Sequence, residues 1–402
     1  MTTRPCWVEI RTHSLEDNFR FLLTLAVPHA ELMAVLKADA YGHSLALCAP
    51  AVVRAGARWL GVASVEEGVA ARALCPEPSV LVICGAFPGQ GAAVVKHRLT
   101  AVAWQPWQLD ELETAARTAG GLAGSVPVHL EIDTGMSRQG VAPEDLNAEG
   151  GSAGALLARF NPGSPLRLEG VLTHLFAADE ADRRVTEAQL AQLDLALRGI
   201  KAAGVHPEWL NVGNSAALLA GEAARIAALA ARYGMKAMVR PGLALYGVTP
   251  RFNPQFEPHE PPSLAAARAR LQPVLTWKTR VAGVRSVPAG AVVGYNGTFV
   301  ATEPMRLALV AAGYADGLDR RLGNRFSLLV RGARAPLVGR ISMDMATVDV
   351  TEIPAVEPGD DVVILGEQGG ESITAYDHAE ATGTIPWEVF TRIGARVRRV
   401  EV

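Results

Sequence analysis

A lysine at the end of an apolar run is the chain's most suggestive chemical group. In Ala34-Val35-Leu36-Lys37-Ala38-Asp39-Ala40-Tyr41-Gly42-His43-Ser44, the run Leu32 to Leu36 is long enough for a fully buried strand. Gly42 then breaks it, and Ser44 can cap a following helix. A lysine emerging from apolar surroundings can present a neutral amine to a carbonyl, such as that of an aldehyde cofactor. The same lysine reads equally as one that stretches to solvent from a strand end. Further along stand Glu131, Asp133 and Arg138, then Thr173-His174, Asn214-Ser215 and Arg240-Pro241-Gly242-Leu243. Singly, these have plain roles: a helix cap at Asn214-Ser215, an arginine at a helix break, a core histidine with its hydrogen bonds met.

What decides between the readings is where the elements place these groups. After an opening segment Trp7 to Ile10, eight short apolar runs alternate with helical patterns. The runs are Leu32 to Leu36, Trp59 to Ala63, Val80 to Cys84, Thr100 to Trp104, Val128 to Ile132, Leu168 to Thr173, Trp209 to Val212 and Ala237 to Val239. Ser64 to Leu74, Pro106 to Thr118, Asp182 to Ala203 and Asn214 to Arg232 read as amphipathic helices between them. Strand then helix, eight times over, predicts a (β/α)8 barrel, and no GxGxxG follows the first strand to suggest a dinucleotide-binding sheet. The barrel is expected over residues 1–247, with the first ten or so open to pairing with the second domain. Residues 248–402 form that smaller, mainly β domain. Thr249 to Ser263, with five prolines, reads as an irregular crossing. Val274 to Val287, Met305 to Ala311, Phe326 to Val330, Ala346 to Val350 and Asp361 to Leu365 read as strands, and Tyr376 to Ala381 and Trp387 to Ile393 as short helices.

Composition narrows the partners. The 402 residues carry a net charge of -3, with no long basic run to draw them to nucleic acid or an anionic membrane. The four cysteines form no CxxC pair and no metal-ligand spacing with histidine, so they read as reduced core thiols. No apolar leader opens the chain and no stretch has the length of a membrane span, which points to the cytosol.

In a (β/α)8 barrel the reacting groups sit at the C-terminal ends of the strands. That end collects Lys37 and Tyr41 from the first run and Glu131, Asp133 and Arg138 from the fifth. Thr173-His174 comes from the sixth, Asn214-Ser215 from the seventh and Arg240 to Leu243 from the eighth. Helix N-termini and glycine turns after the last two strands are a phosphate cradle in this fold. A lysine for an aldehyde and backbone amides for a phosphate ester are what pyridoxal phosphate requires.

These segments resemble the alanine racemase family. The likeness lies in Ala34 to Ser44, Asp133 to Arg138, Leu172 to His174, Gly213 to Ala216 and Val239 to Gly247. It continues through Val293 to Thr298, Gly313 to Gly317, Val338 to Asp344 and Gly383 to Glu388, spanning nearly the whole chain. The resemblance implies a homodimeric pyridoxal phosphate enzyme, a barrel followed by a β-domain, that interconverts L- and D-alanine and supplies D-alanine for peptidoglycan. Lys37 would hold the cofactor and serve as base for the D-enantiomer. Tyr295 of the partner subunit would serve the opposite face for the L-enantiomer, helped by His174 and Arg240, because a phenol needs such help to act as a base at neutral pH. Arg240 would face the pyridine nitrogen and, as a poor proton donor, keep the ring a weaker electron sink. Arg138 and the Met343 amide would bind the substrate carboxylate, Tyr314 would line the entrance, and Tyr41, Asn214, Ser215, Gly242, Leu243 and Trp387 belong to the cofactor's surroundings.

Three positions depart from the family's pattern. Glu131 stands where a lysine, often carbamylated, is usual, and is expected to orient Arg138 without carbon dioxide. Asn211 replaces a histidine but can still bond Arg240. Trp387 replaces a tyrosine, and an indole N–H donates but cannot accept. The departures leave a racemase for serine, lysine or a broader set as the alternative. A non-catalytic pyridoxal phosphate carrier lacks a second domain, and a decarboxylase is opposed by Arg240.

Overall fold

The structure is a computed structural model and describes residues 4–146, 152–180, 182–251 and 261–402. It divides into two compact units: one of residues 13–40 and 48–272, the other of residues 1–12, 41–47 and 273–402.

Strand β1, Cys6–Ile10, belongs to the second unit. The first unit is built on β2 (Ala30–Val35), β3 (Trp59–Val62), β4 (Ser79–Val82), β5 (Thr100–Ala103), β6 (Val126–Glu131), β7 (Leu166–Leu172), β8 (Trp209–Asn211) and β9 (Lys236–Val239). They form a closed barrel of parallel strands, β9 pairing back onto β2 through Ala30–Ala237 and Leu32–Val239. Each of the eight apolar runs is one of its strands. Their near-continuous apolar character follows from burial on both faces, by side chains within the barrel and helices outside it. The helix Val65–Leu74 starts on an N-cap, Ser64, whose hydroxyl accepts from Glu67 N, and Pro106–Thr118 starts on its own proline. The stretch expected as one helix from Asn214 to Arg232 is two, Ser215–Leu219 and Ala223–Ala231, because Gly221 between them takes φ 81°. Of the crossing expected at Thr249 to Ser263, residues 252–260 lie outside the described residues, and Pro262–Arg270 is helical and belongs to the barrel unit.

The second unit adds β10 (Leu275–Val287), the short pair β11 (Val292–Val293) and β12 (Phe299–Val300), and β13 (Met305–Val310). Then follow β14 (Ser327–Val330), β15 (Ala333–Pro336), β16 (Ala346–Asp349), β17 (Asp361–Gln368), β18 (Glu371–Ile373) and β19 (Arg398–Glu401). Its main sheet runs β15-β14-β17-β10-β1-β19, with β13 and β16 continuing from the far half of β10 and β18 from β17. The thirteen-residue β10 bonds β1 antiparallel along one half and β13 along the other, so it organises the sheet. Trp277, 1% exposed, donates its indole N–H to Cys6 Sγ across the β1–β10 pair. The first strand groups with the sheet, as left open for the first ten or so residues, and beside a cut after residue 247 the segment 41–47 also groups with the sheet and residues 248–272 with the barrel. No disulfide joins the four cysteines; three are buried and Cys84 is half-buried. Among the described residues no helix is long and apolar enough to cross a membrane, and no group of three or more acidic, cysteine or histidine side chains is placed to hold a metal.

Candidate active site

Lys37 is half-buried and directly follows Leu36, which is wholly buried. The break after the strand comes earlier than Gly42. Ala38, Asp39, Ala40 and Tyr41 have φ of 54°, 53°, 55° and 54°, a turn of left-handed helix without a glycine. Such a conformation costs about 1–2 kcal/mol for each L-residue, so other contacts must hold it. One is Ala40 N–H donating to Leu36 O at 2.8 Å.

Arg240, at the end of β9 and 4% exposed, is held from several sides. NH1 donates to Asn211 O and Oδ1, both at 2.9 Å, and NH2 donates to Thr173 O at 2.6 Å and to His174 Nδ1 at 3.0 Å. Asn211 thus bonds Arg240 in the way its chemistry allowed. The fifth donor, Nε–H, has no partner among the described residues. Burial draws the Arg240 pKa down to about 10, opposed by Glu131 and assisted by Arg138, and leaves it cationic at neutral pH. Burial, together with Arg240, Arg138 and Lys37, pushes His174 down to about 3. The imidazole is therefore neutral; with Nδ1 accepting from Arg240, its proton lies on Nε2.

The loops after β8 and β9 meet at Ser215. Its hydroxyl oxygen accepts from Gly242 N at 3.0 Å and Ala244 N at 3.2 Å, which leaves the hydroxyl hydrogen to donate elsewhere. The Leu243 N–H opens the 3-10 turn Leu243–Tyr246 and has no partner among the described residues. Asn214 caps Ala217 N with Oδ1 and gives Nδ2 to Leu175 O, so it ties two loops together. Val35 N donates to Pro241 O and the buried Tyr246 hydroxyl donates to Val35 O. These bonds fix the glycine turn against the strand that delivers Lys37.

After β6 the chain makes a loop and returns. Asp133 Oδ1 accepts from Gly135 N and Ser137 N, and Val141 N donates back to Glu131 O. The loop presents Arg138 exposed, with no hydrogen bond or ion pair among the described residues. Among the described residues Glu131 and Arg138 make no direct hydrogen bond or ion pair. Glu131, 2% exposed, instead accepts from Gln139 Nε2, which also donates to Ile83 O at 3.2 Å. Burial raises the Glu131 pKa against the Gln139 bond and the fields of Arg240 and Arg138, so the carboxylate acts on Arg138 only through space. Gln139 sits beside Arg138 in the loop and has no sequence signal for this role. Gln189 is similarly silent in the sequence. From the helix Arg184–Ala202 it donates to His174 O and Thr134 Oγ1, both at 2.9 Å, and so sets the loop that carries His174.

The remaining candidates lie in the sheet unit. Tyr41 is buried, and burial raises its phenol to about 12, so it keeps its proton at neutral pH. Its neighbour Gly42 lies against Phe390 O, where a Cβ would come within 2.4 Å, and accepts at its carbonyl from Arg399 Nε. This docks the segment on the helix Pro386–Thr391, which carries a half-buried Trp387 whose indole N–H has no partner among the described residues. Tyr295 stands at the tip between β11 and β12, 65% exposed. Its hairpin is held by backbone contacts: a Cβ on Gly339 would lie 2.7 Å from Val293 O, and both Gly294 and Gly339 have positive φ. Tyr314 and Met343 are neighbours, Tyr314 N donating to Ser342 O and Ala315 N to Met343 O. Burial would raise Asp316 in that turn, but Arg396 and Arg4 hold it below the usual carboxylate range and fasten both loops, Arg396 also reaching Asp344 at 2.8 Å.

The unused donors suit pyridoxal phosphate. Arg240 Nε–H is a cationic donor for a ring nitrogen, and Ser215 Oγ–H and Leu243 N–H are donors for a phosphate. Lys37 is the amine on the same barrel rim.

Residues 10–250 match the family described as alanine racemase, N-terminal domain, and residues 274–401 match alanine racemase, C-terminal domain. A relative named alanine racemase from Symbiobacterium thermophilum is 38% identical over 396 residues, covering 98% of this chain and 97% of the relative. One from Syntrophobacter fumaroxidans is 36% identical, covering 96% and 95%. Among solved structures, the alanine racemase of D-cycloserine-producing Streptomyces lavendulae has a TM-score of 0.85 at 35% identity and covers 100% of this chain and 98% of that one. That of Bartonella henselae, with covalently bound pyridoxal phosphate, has a TM-score of 0.80 at 26% identity over 99% of each.

Proposed function

The chain belongs to the alanine racemase family, and from that premise we propose that it is a pyridoxal phosphate-dependent isomerase that interconverts L- and D-alanine. The observation that carries this reading is Arg240, buried and with four N–H bonds made inside the barrel, its Nε–H left without a partner among the described residues and so open to a ligand. Bound pyridoxal phosphate supplies the electron sink that loosens the substrate's Cα–H bond. Lys37 Nζ anchors the cofactor and exchanges the proton on one face of Cα. Tyr295 of the partner subunit exchanges it on the other, in a homodimer whose sites are shared. Neutral His174, its proton on Nε2, steadies the phenolate with the help of the Arg240 charge behind it. Arg138 and the Met343 amide hold the substrate carboxylate, Tyr314 narrows the entrance, and Tyr41, Ser215 and Leu243 hold the phosphate, while Gly242, its N–H given to Ser215 Oγ, shapes the turn beside it. A cytosolic role in supplying D-alanine for peptidoglycan fits this chemistry.

The test is a chiral assay of purified protein with added pyridoxal phosphate against L-alanine, L-serine and L-lysine. D-alanine rising toward an equal mixture is expected; cofactor uptake without any D-amino acid would sink the reading. The departure at Trp387 from the family's tyrosine leaves a racemase of shifted specificity as the second reading, which L-serine turnover rivalling that of L-alanine would establish.

A further inference from the structure

The left-handed turn after Lys37 is held by a carboxylate from the neighbouring strand's helix. Glu67 is the third residue of Val65–Leu74 and follows Ser64 in the spacing of a capping box. In that motif the acid reaches back to the amide of the capping residue itself. Here Oε2 accepts instead from Ala63 N at 2.8 Å, one residue earlier. Oε1 crosses to the turn and accepts from Ala38 N at 2.6 Å and Asp39 N at 3.3 Å. One carboxylate therefore receives three backbone amides, two of them from successive left-handed residues, an arrangement whose N–H groups converge on an anion. Leu36 N also donates to Gly61 O at 2.7 Å, so the ends of β2 and β3 are joined on both sides of Lys37.

We propose that Glu67 is the positioning residue for Lys37: by clamping the left-handed turn it fixes the direction in which the lysine leaves its strand. The inference rests on the reading of Lys37 as the residue that captures pyridoxal phosphate. Reactions that depend on an aimed nucleophile lose about 10²-fold for a misplacement near 1 Å. Removal of the clamp should therefore slow capture without removing any group that touches the cofactor.

The test begins with wild-type protein stripped of pyridoxal phosphate and then given it back. Borohydride trapping and mass spectrometry of the Lys37 peptide follow the rate of covalent attachment. If wild type shows no attachment at Lys37, the reading of Lys37 falls, whatever Glu67 does. If it does attach, Glu67→Ala is expected to slow attachment about ten- to hundredfold and to lower kcat with KM for alanine little changed. Glu67→Gln, which keeps one acceptor and the side chain's shape, should lose about three- to tenfold and serves if the alanine variant does not fold. Ala40→Gly added to Glu67→Ala removes the steric cost of a left-handed residue. It should restore thermal stability while attachment stays slow. Attachment at the wild-type rate in Glu67→Ala, or recovered together with stability in the double variant, would overturn the proposal.

Discussion

Arg240 and Tyr295 are placed in opposite ways. Arg240 is 4% exposed and meets Asn211, Thr173 and His174 inside its own barrel, while Tyr295 is 65% exposed and its side chain has no hydrogen bond among the described residues. The first is completed by its own fold. The second is held by its backbone and presents a bare phenol. A buried guanidinium with four of its five N–H bonds made is a fixed electrostatic element, whereas a rigidly mounted, exposed tyrosine suits delivery to another surface. On the proposed reading, the difference separates what the barrel completes by itself from what a second copy would supply.

Four substitutions sharpen that contrast. Lys37→Ala should abolish racemisation, by roughly 10⁴-fold or more, together with the visible absorbance of bound cofactor; a spectrum unchanged from wild type would contradict its role. Tyr295→Phe should lower turnover by about 10²–10⁴-fold while cofactor content and melting temperature stay as in wild type, since its ring is exposed. Glu131→Gln should raise KM for alanine about tenfold, because the negative charge facing Arg138 and Arg240 is lost, with kcat less affected. Unaltered steady-state constants would remove Glu131 from the substrate's surroundings.

The smallest effect is on pH and stability. His174 is lowered in the folded chain to about 3 from an ordinary 6.5, so between those values the unfolded chain binds more protons. The stability that depends on neutral His174 is complete above about pH 6.5 and is lost as pH falls toward 3. At pH 5 the wild type should have lost about 1–2 kcal/mol more than His174→Gln, relative to pH 7.5, in urea unfolding. Parallel losses in the two proteins would show that His174 is not held neutral.

The barrel is legible in the sequence because each strand is buried on both faces and reads as an apolar run, as Val80 to Cys84 does. The mouth residues followed from it, since strand ends have fixed places in the fold. What stayed hidden depends on contacts between segments remote in sequence. Ala38-Asp39-Ala40 offers no glycine to announce a left-handed turn, and its support from Glu67 lies 28 and 29 residues away. The bond of Glu131 to Gln139 was hidden because it depends on the loop's return to β6, which turns that amide inward, toward Ile83 O as well. The hairpin under Tyr295 has only two-residue strands, too short for alternation to register. Strand β19, Arg-Arg-Val-Glu, lies at a sheet edge, where charge replaces the apolar pattern.

The most direct test of the contrast is complementation between two inactive variants. Lys37→Ala and Tyr295→Phe proteins, each near zero alone, are mixed and allowed to exchange subunits, with exchange checked by native mass spectrometry. A mixed dimer would carry one site with both Lys37 and Tyr295 intact. Random exchange makes about half the dimers mixed, each with one working site of two, so racemisation should rise to about a quarter of wild type. Confirmed exchange with no recovery would show that Lys37 and Tyr295 do not act from different subunits.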